Sequence, residues 1–252
     1  MINLSGVYKK YNGVTALAIS ELEIPENKLI GIIGPNGSGK STLLSCIANS
    51  IKPTSGNIFI DGIEVRRYDR IEFAKKVSIM NQSTDVNLNL TIEDLVSFGR
   101  YPYSKGNLTW EDMEIVNDAI YNTGIDHIRN KYITQVSGGE RQRALVSLLL
   151  AQQSKYILLD EPLNNLDMKS SVQLMDLLRN IVHNNGVTVI IVLHDINFAM
   201  NYADSLILMN KGQIAHHGSP ESIRTNGIMS EIYGIPIEIM LTNNSKYICV
   251  YY

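Results

Sequence analysis

Gly34-Pro35-Asn36-Gly37-Ser38-Gly39-Lys40-Ser41-Thr42 has the residue types and spacing of a phosphate-binding loop. A triphosphate packs several negative charges into a small volume. Glycines let the backbone wrap it closely, and successive N–H groups at a helix start point positive ends at it. Lys40 adds a mobile charge for the β- and γ-phosphates, Ser41 a hydroxyl ligand for Mg²⁺, and Thr42 a second hydroxyl at the phosphates. Further on, Ile157-Leu158-Leu159-Asp160-Glu161-Pro162 ends an apolar run in two carboxylates. Asp160 is placed to hold Mg²⁺ through water and Glu161 to polarise an attacking water; the competing reading is that both merely cap the next stretch of chain. Between these runs lies Val136-Ser137-Gly138-Gly139-Glu140-Arg141-Gln142-Arg143. Ser137 and Glu140 read as a capping box. Paired glycines are poor helix formers, costing about 1 kcal/mol each inside a helix. Their advantage is that another molecule can come close to a positive helix end.

These groups need elements to carry them. Leu29 to Ile33 is a continuous apolar run, the mark of a strand buried on both faces, and it feeds the glycine loop and a helix opening at Thr42-Leu43-Leu44. Ile19 to Ile24 and Ile58 to Ile60 read as strands, the second led in by a turn at Pro53-Thr54-Ser55-Gly56. Tyr156 to Asp160 and Val187 to His194 read as buried strands, with an amphipathic helix over Met168 to His183 between them. Alternation of strands and helices predicts an α/β fold with a mainly parallel sheet. From residue 83 to about 150 the character changes. Thr91-Ile92-Glu93-Asp94 and Thr109-Trp110-Glu111-Asp112 are helix-start patterns, and the segment reads as a helical insertion. The tail predicts a helix start at Ser219-Pro220-Glu221, a helix end at Tyr233-Gly234, and a hairpin of Ile237 to Leu241 with Tyr247 to Tyr251.

Composition narrows the partners. Apolar residues make up 44%, charged residues 19%, and the net charge is −3, which does not suggest a nucleic-acid-binding surface. No apolar stretch approaches the ~20 residues of a membrane span, and Met1-Ile2-Asn3-Leu4 does not start a signal peptide. The expected location is the cytosol, with membrane association only through another protein. Cys46 and Cys249 make neither a disulfide framework nor a metal site. His216-His217 reads as strand and turn, and Arg66-Arg67 and Lys75-Lys76 as solvated surface.

The loop, the acidic strand end and the Ser137-Gly138-Gly139 helix start together resemble the ATP-binding subunit of an ABC transporter. The usual signature in that family is Leu-Ser-Gly-Gly-Gln; here Val136 replaces the leucine and Glu140 the glutamine. The resemblance covers nearly the whole chain. It implies one ABC ATPase domain over residues 1–252: a P-loop NTPase core with an antiparallel β part (about 1–82 and 155–252) and a helical subdomain (about 83–154). It implies that Tyr11 stacks on adenine, with Tyr8 as rival, and that Gln82 touches Mg²⁺ and the attacking water. Asp167, in Asn165-Leu166-Asp167, is implied to lie in a loop crossing between subunits, and is equally a natural N-cap. His194 is implied to contact the γ-phosphate, while Asp195 reads as a cap. Two subunits pair head to tail in this family, so Ser137, Gly138, Gly139 and Glu140 of one would close over ATP held by the other. The segment Gln82 to Tyr103 would form a groove for a helix of a membrane permease. Leu193-His194-Asp195-Ile196-Asn197-Phe198-Ala199, Phe98-Gly99-Arg100-Tyr101-Pro102 and the hairpin tail resemble importers of ferric siderophores, haem and vitamin B12. That implies a permease and an external substrate-binding protein as partners, at the cytoplasmic face of the membrane. The rival within the family is a non-transport ATPase acting on a soluble scaffold, as in iron–sulfur cluster assembly.

Overall fold

A computed structural model describes residues 1–81 and 89–252. Gln82 and the start of the expected permease groove lie outside the described residues. The chain opens with a hairpin of β1 (Ile2–Tyr11) and β2 (Val14–Ile24), bulged at Lys9/Lys10. β3 (Leu29–Ile33) leads through the glycine loop into α1 (Lys40–Ile47). β4 (Ser55–Ile60) and β5 (Ile63–Glu64) return to the hairpin, giving an antiparallel sheet in the order β2-β1-β4-β5. The turn expected at Pro53 to Gly56 is therefore shorter, because Ser55 already pairs with Tyr8. Gly56 permits this close crossing: a Cβ there would lie 2.0 Å from the Gly6 carbonyl oxygen.

After α2 (Arg70–Lys76) and β6 (Val77–Met80) the described residues form the α-helices α3 (Ile92–Ser97), α4 (Tyr101–Ser104), α5 (Trp110–Asn122) and α6 (Gly138–Ala151). Capping boxes start α3 at Thr91 and α5 at Thr109, as their sequences predict. The chain then alternates: β7 (Tyr156–Asp160), α7 (Met168–Asn185), β8 (Thr188–Val192), α8 (Ile196–Tyr202), β9 (Ser205–Asn210), β10 (Gln213–Gly218). The tail adds α9 (Pro220–Asn226), α10 (Ile228–Tyr233) and the hairpin β11 (Ile237–Leu241) with β12 (Tyr247–Tyr251).

The central sheet runs β10-β9-β3-β8-β7-β6, parallel except for β10. Its continuous apolar runs are explained by the pleat, which sends alternate residues to opposite faces. Leu29, Ile33, Ile157, Leu159, Val189 and Ile191 enter one apolar cluster with α6, α7 and α8. Ile30, Ile32, Tyr156, Leu158, Ile190 and Val192 enter the other, with β1, β2, β4 and α1. This strand order matters for chemistry. β8 lies between β3 and β7, so the loop after β3, the acids ending β7 and the residues after β8 all leave the sheet at one edge, where ligands gather on parallel sheets.

The helical segment is tied together by a buried ion pair. Arg100 Nε donates to Asp112 Oδ1 at 2.8 Å and its NH1 group to the Ala151 carbonyl at 2.8 Å, while the guanidinium lies 4.0 Å from the Tyr103 ring centroid. Losing one partner of such a pair typically costs about 3–5 kcal/mol, because the other charge is left buried alone.

Candidate nucleotide site

The glycine loop is shaped by what it packs against. Gly34 has φ +148, and a Cβ there would lie 2.2 Å from the Met209 carbonyl oxygen at the end of β9. Gly39, with φ +101, would carry a Cβ 2.7 Å from the Ala16 carbonyl oxygen on β2. Both positions thus demand glycine for steric and conformational reasons. Lys40, 5% exposed, folds its ammonium back on the loop, donating to the carbonyls of Gly34 at 2.8 Å and Pro35 at 3.0 Å. Burial pulls the Lys40 pKa down, against the opposing pull of the Glu161 and Asp160 charges. The Ser38 hydroxyl is buried and, among the described residues, has no hydrogen-bond partner. Ser41 Oγ donates to Asp160 Oδ1 at 3.0 Å, and burial raises the Asp160 carboxyl above its usual range despite that bond. An orphaned hydroxyl, a buried ammonium and a hydroxyl–carboxylate pair form a donor set that fits phosphate and a hard cation such as Mg²⁺.

Glu161 is held on both sides. Its backbone is in the left-handed region at φ 52, a strained conformation for a non-glycine residue. That twist turns the side chain out of the strand direction: Oε1 lies 2.6 Å from His194 Nε2, and Oε2 accepts from Asn164 Nδ2 at 2.6 Å. The carboxylate is nearly covered (9% exposed), whereas His194 is 43% exposed. Sequence reasoning does not single out Asn164. Its signal is the tight Pro162-Leu163-Asn164 turn, in which the Asn164 N–H returns to the Glu161 carbonyl at 3.2 Å. Asp195 accepts from the N–H groups of Asn197 and Phe198, the cap the sequence predicts.

Ser137 and Glu140 do form a reciprocal capping box at the start of α6. The two glycines behind Ser137 differ in duty, which sequence reasoning does not separate. A Cβ on Gly139 would lie 2.7 Å from Ser170 Oγ, so this glycine serves contact between α6 and the start of α7 in the same chain. A Cβ on Gly138 would make only ordinary contact, with Asn165 and Leu166 atoms at 3.9 Å, so packing within the chain does not demand glycine there. Asp167 caps α7, its Oδ1 accepting from the Ser170 N–H at 2.7 Å. A cleft of about 200 Å³ runs from Asp160 and Glu161 to Gly138, Arg141 and Gln142 on α6; Ser137 is outside its lining.

The family model described as ABC transporter matches residues 17–164. The petrobactin import ATP-binding protein YclP of Bacillus subtilis is 46% identical over 98% of this chain and 98% of its own length. This chain belongs to the ABC transporter family. The ferric enterobactin transport ATP-binding protein FepC of Escherichia coli is 37% identical, covering 90% of this chain and 84% of its own. Among solved structures, the dimeric bacterial ABC transporter cassette MJ0796 superposes with a TM-score of 0.77 at 30% identity, over 87% of this chain and 99% of that one. The chain is thus an ABC cassette that binds and hydrolyses ATP.

Two further features of the cassette face outward. Tyr11 and Tyr8 are both 43% exposed on β1, and Lys9 Nζ lies over the Tyr11 ring, 4.9 Å from its centroid. On the helical segment, Leu90, Phe98, Tyr101, Leu108 and Met113 line a pocket of about 420 Å³. Leu95 and Val96, in the same segment, are buried in the core.

Proposed function

We propose that the cassette powers an importer of iron-siderophore complexes, working as a head-to-tail pair that closes around two ATP molecules and drives a membrane permease. The observation that carries the cargo class is the 46% identity to a petrobactin import protein across 98% of both chains. The ferric enterobactin and achromobactin relatives point to the same class of cargo. In this reading Tyr11 stacks on adenine, the loop from Gly34 to Thr42 with Lys40 holds the phosphates, and Glu161 orients the attacking water. His194, beside Glu161, reads the γ-phosphate. When bound, Mg²⁺ neutralises phosphate charge, with Ser41 and, through water, Asp160 as its protein ligands and Gln82 as a further candidate. Ser137 and Gly138, at the start of α6, come from the second subunit. The dimeric form of the related cassette supports this pairing.

No helix among the described residues is long and apolar enough to cross a membrane. Attachment would run through the pocket at Phe98 and Tyr101, which offers exposed aromatic area to a permease helix at the cytoplasmic face. A substrate-binding protein would deliver the cargo from outside. The experiment is uptake of radiolabelled ferric siderophore by cells lacking this chain. Uptake drops to background and is restored by the wild-type chain but not by Glu161→Gln. Normal uptake together with failing iron–sulfur enzymes would instead support the soluble-scaffold alternative.

A further inference from the structure

Position 140 carries a carboxylate where the usual signature has an amide, and that carboxylate is engaged with the Ser137 side chain, which the two-subunit site sets against ATP. Glu140 Oε2 accepts from the Ser137 hydroxyl at 2.6 Å and from the Ser137 N–H at 2.8 Å. Its other oxygen lies 3.6 Å from His127 Nε2. The Ser137 hydrogen bonds, reinforced by the nearby charge of Lys131, hold the Glu140 carboxyl below its usual range, so it is ionised at neutral pH.

The Ser137 hydroxyl has a single proton to donate. In the paired state that proton is wanted by the partner's γ-phosphate; in this structure it points at Glu140. A hydrogen bond to an ionised acceptor is short and about twice as strong as a neutral one, and 2.6 Å is in that range. Closing the pair therefore requires the hydroxyl to pass from one anion to another. The same carboxylate acts at longer range. It sits in the first turn of α6, where its charge offsets the positive end of the helix and repels an incoming triphosphate.

We propose that Glu140 is a charge gate on ATP-driven pairing: it holds the Ser137 hydroxyl in the open state, opposes the triphosphate, and so raises the ATP concentration at which two subunits close. The proposal rests on the two-subunit site described above. Glu140 is a positioning residue, acting through Ser137 and through its field. Charge and cap are separable, because glutamine is as good a reciprocal partner in a capping box as glutamate. Glu140→Gln thus keeps the helix start and removes the charge.

The test is an ATP titration of dimer formation, read by analytical ultracentrifugation in the slowly hydrolysing Glu161→Gln background, with and without Glu140→Gln, plus a Ser137→Ala control. The ATP midpoint falls by about three- to tenfold with Glu140→Gln, the size expected for weakening one charge-assisted hydrogen bond. The gap narrows as salt is raised, since repulsion between charges is screened. In the otherwise wild-type chain, KM for ATP falls. An unchanged or higher midpoint, with helix content and Tm preserved, overturns the gate. The control separates the two claims. If Ser137→Ala impairs pairing and Glu140→Gln does not shift it, the gate alone fails. If Ser137→Ala pairs as well as its parent, the two-subunit site fails and the gate with it.

Discussion

Glutamine at position 161 leaves ATP binding intact and lowers kcat by about 10²–10⁴-fold, the range ascribed to a positioned acid–base group. The change is nearly isosteric. The amide oxygen can still take the Asn164 N–H that now reaches Oε2, and the left-handed turn at φ 52 is a backbone property that glutamine shares. What disappears is the negative charge beside His194 and the capacity to attract a water proton. With binding kept and hydrolysis stopped, the cassette accumulates as an ATP-loaded dimer, because the contacts made only in the closed state are no longer released. Size-exclusion chromatography with Mg-ATP, alongside a phosphate-release assay, reads both effects. A chain that stays monomeric at every ATP concentration while turning over normally would remove Glu161 from the role.

Lys40→Ala weakens ATP binding by about ten- to hundredfold, from the loss of charge-assisted hydrogen bonds to the phosphates. Lys40 is almost wholly buried, and the Gly34 and Pro35 carbonyls already hold its ammonium over the loop. An incoming phosphate supplies the negative partner that offsets the desolvation now pulling its pKa down. Calorimetric titration with ATP measures the loss, and an unchanged Tm shows that the loop itself survives. Undiminished affinity would mean that the glycine loop holds something other than a triphosphate.

The parts legible in the sequence are those in which one local rule decides the outcome. The strand–loop–helix around Gly34 to Thr42 combines a both-faces-buried strand with a glycine-governed turn, and it folds as β3 into α1. The boxes at Thr91, Thr109 and Ser137 are satisfied by residues three apart, so tertiary context has little to add. β1 is not legible. Its buried residues run Ile2, Leu4, then Val7, and the register shift between Ser5 and Tyr8 breaks the two-residue period by which a strand is recognised. Asn164 escapes notice because its value depends on a backbone twist at Glu161 that no residue type announces. The division of labour between Gly138 and Gly139 is invisible for a related reason: it is set by Ser170, about thirty residues away in the chain and adjacent only after folding.

The central claim is that each nucleotide pocket is assembled from two chains, and a mixing experiment addresses it directly. Lys40→Ala chains lack the phosphate grip but keep an intact Ser137; Ser137→Ala chains have the reverse. Each alone is expected to show little ATP hydrolysis. Combined, a mixed pair contains one pocket with both parts sound, so hydrolysis rises well above the sum of the two preparations and peaks near equal proportions. If the mixture hydrolyses ATP only at the sum of its components at every ratio, Lys40 and Ser137 do not meet across chains.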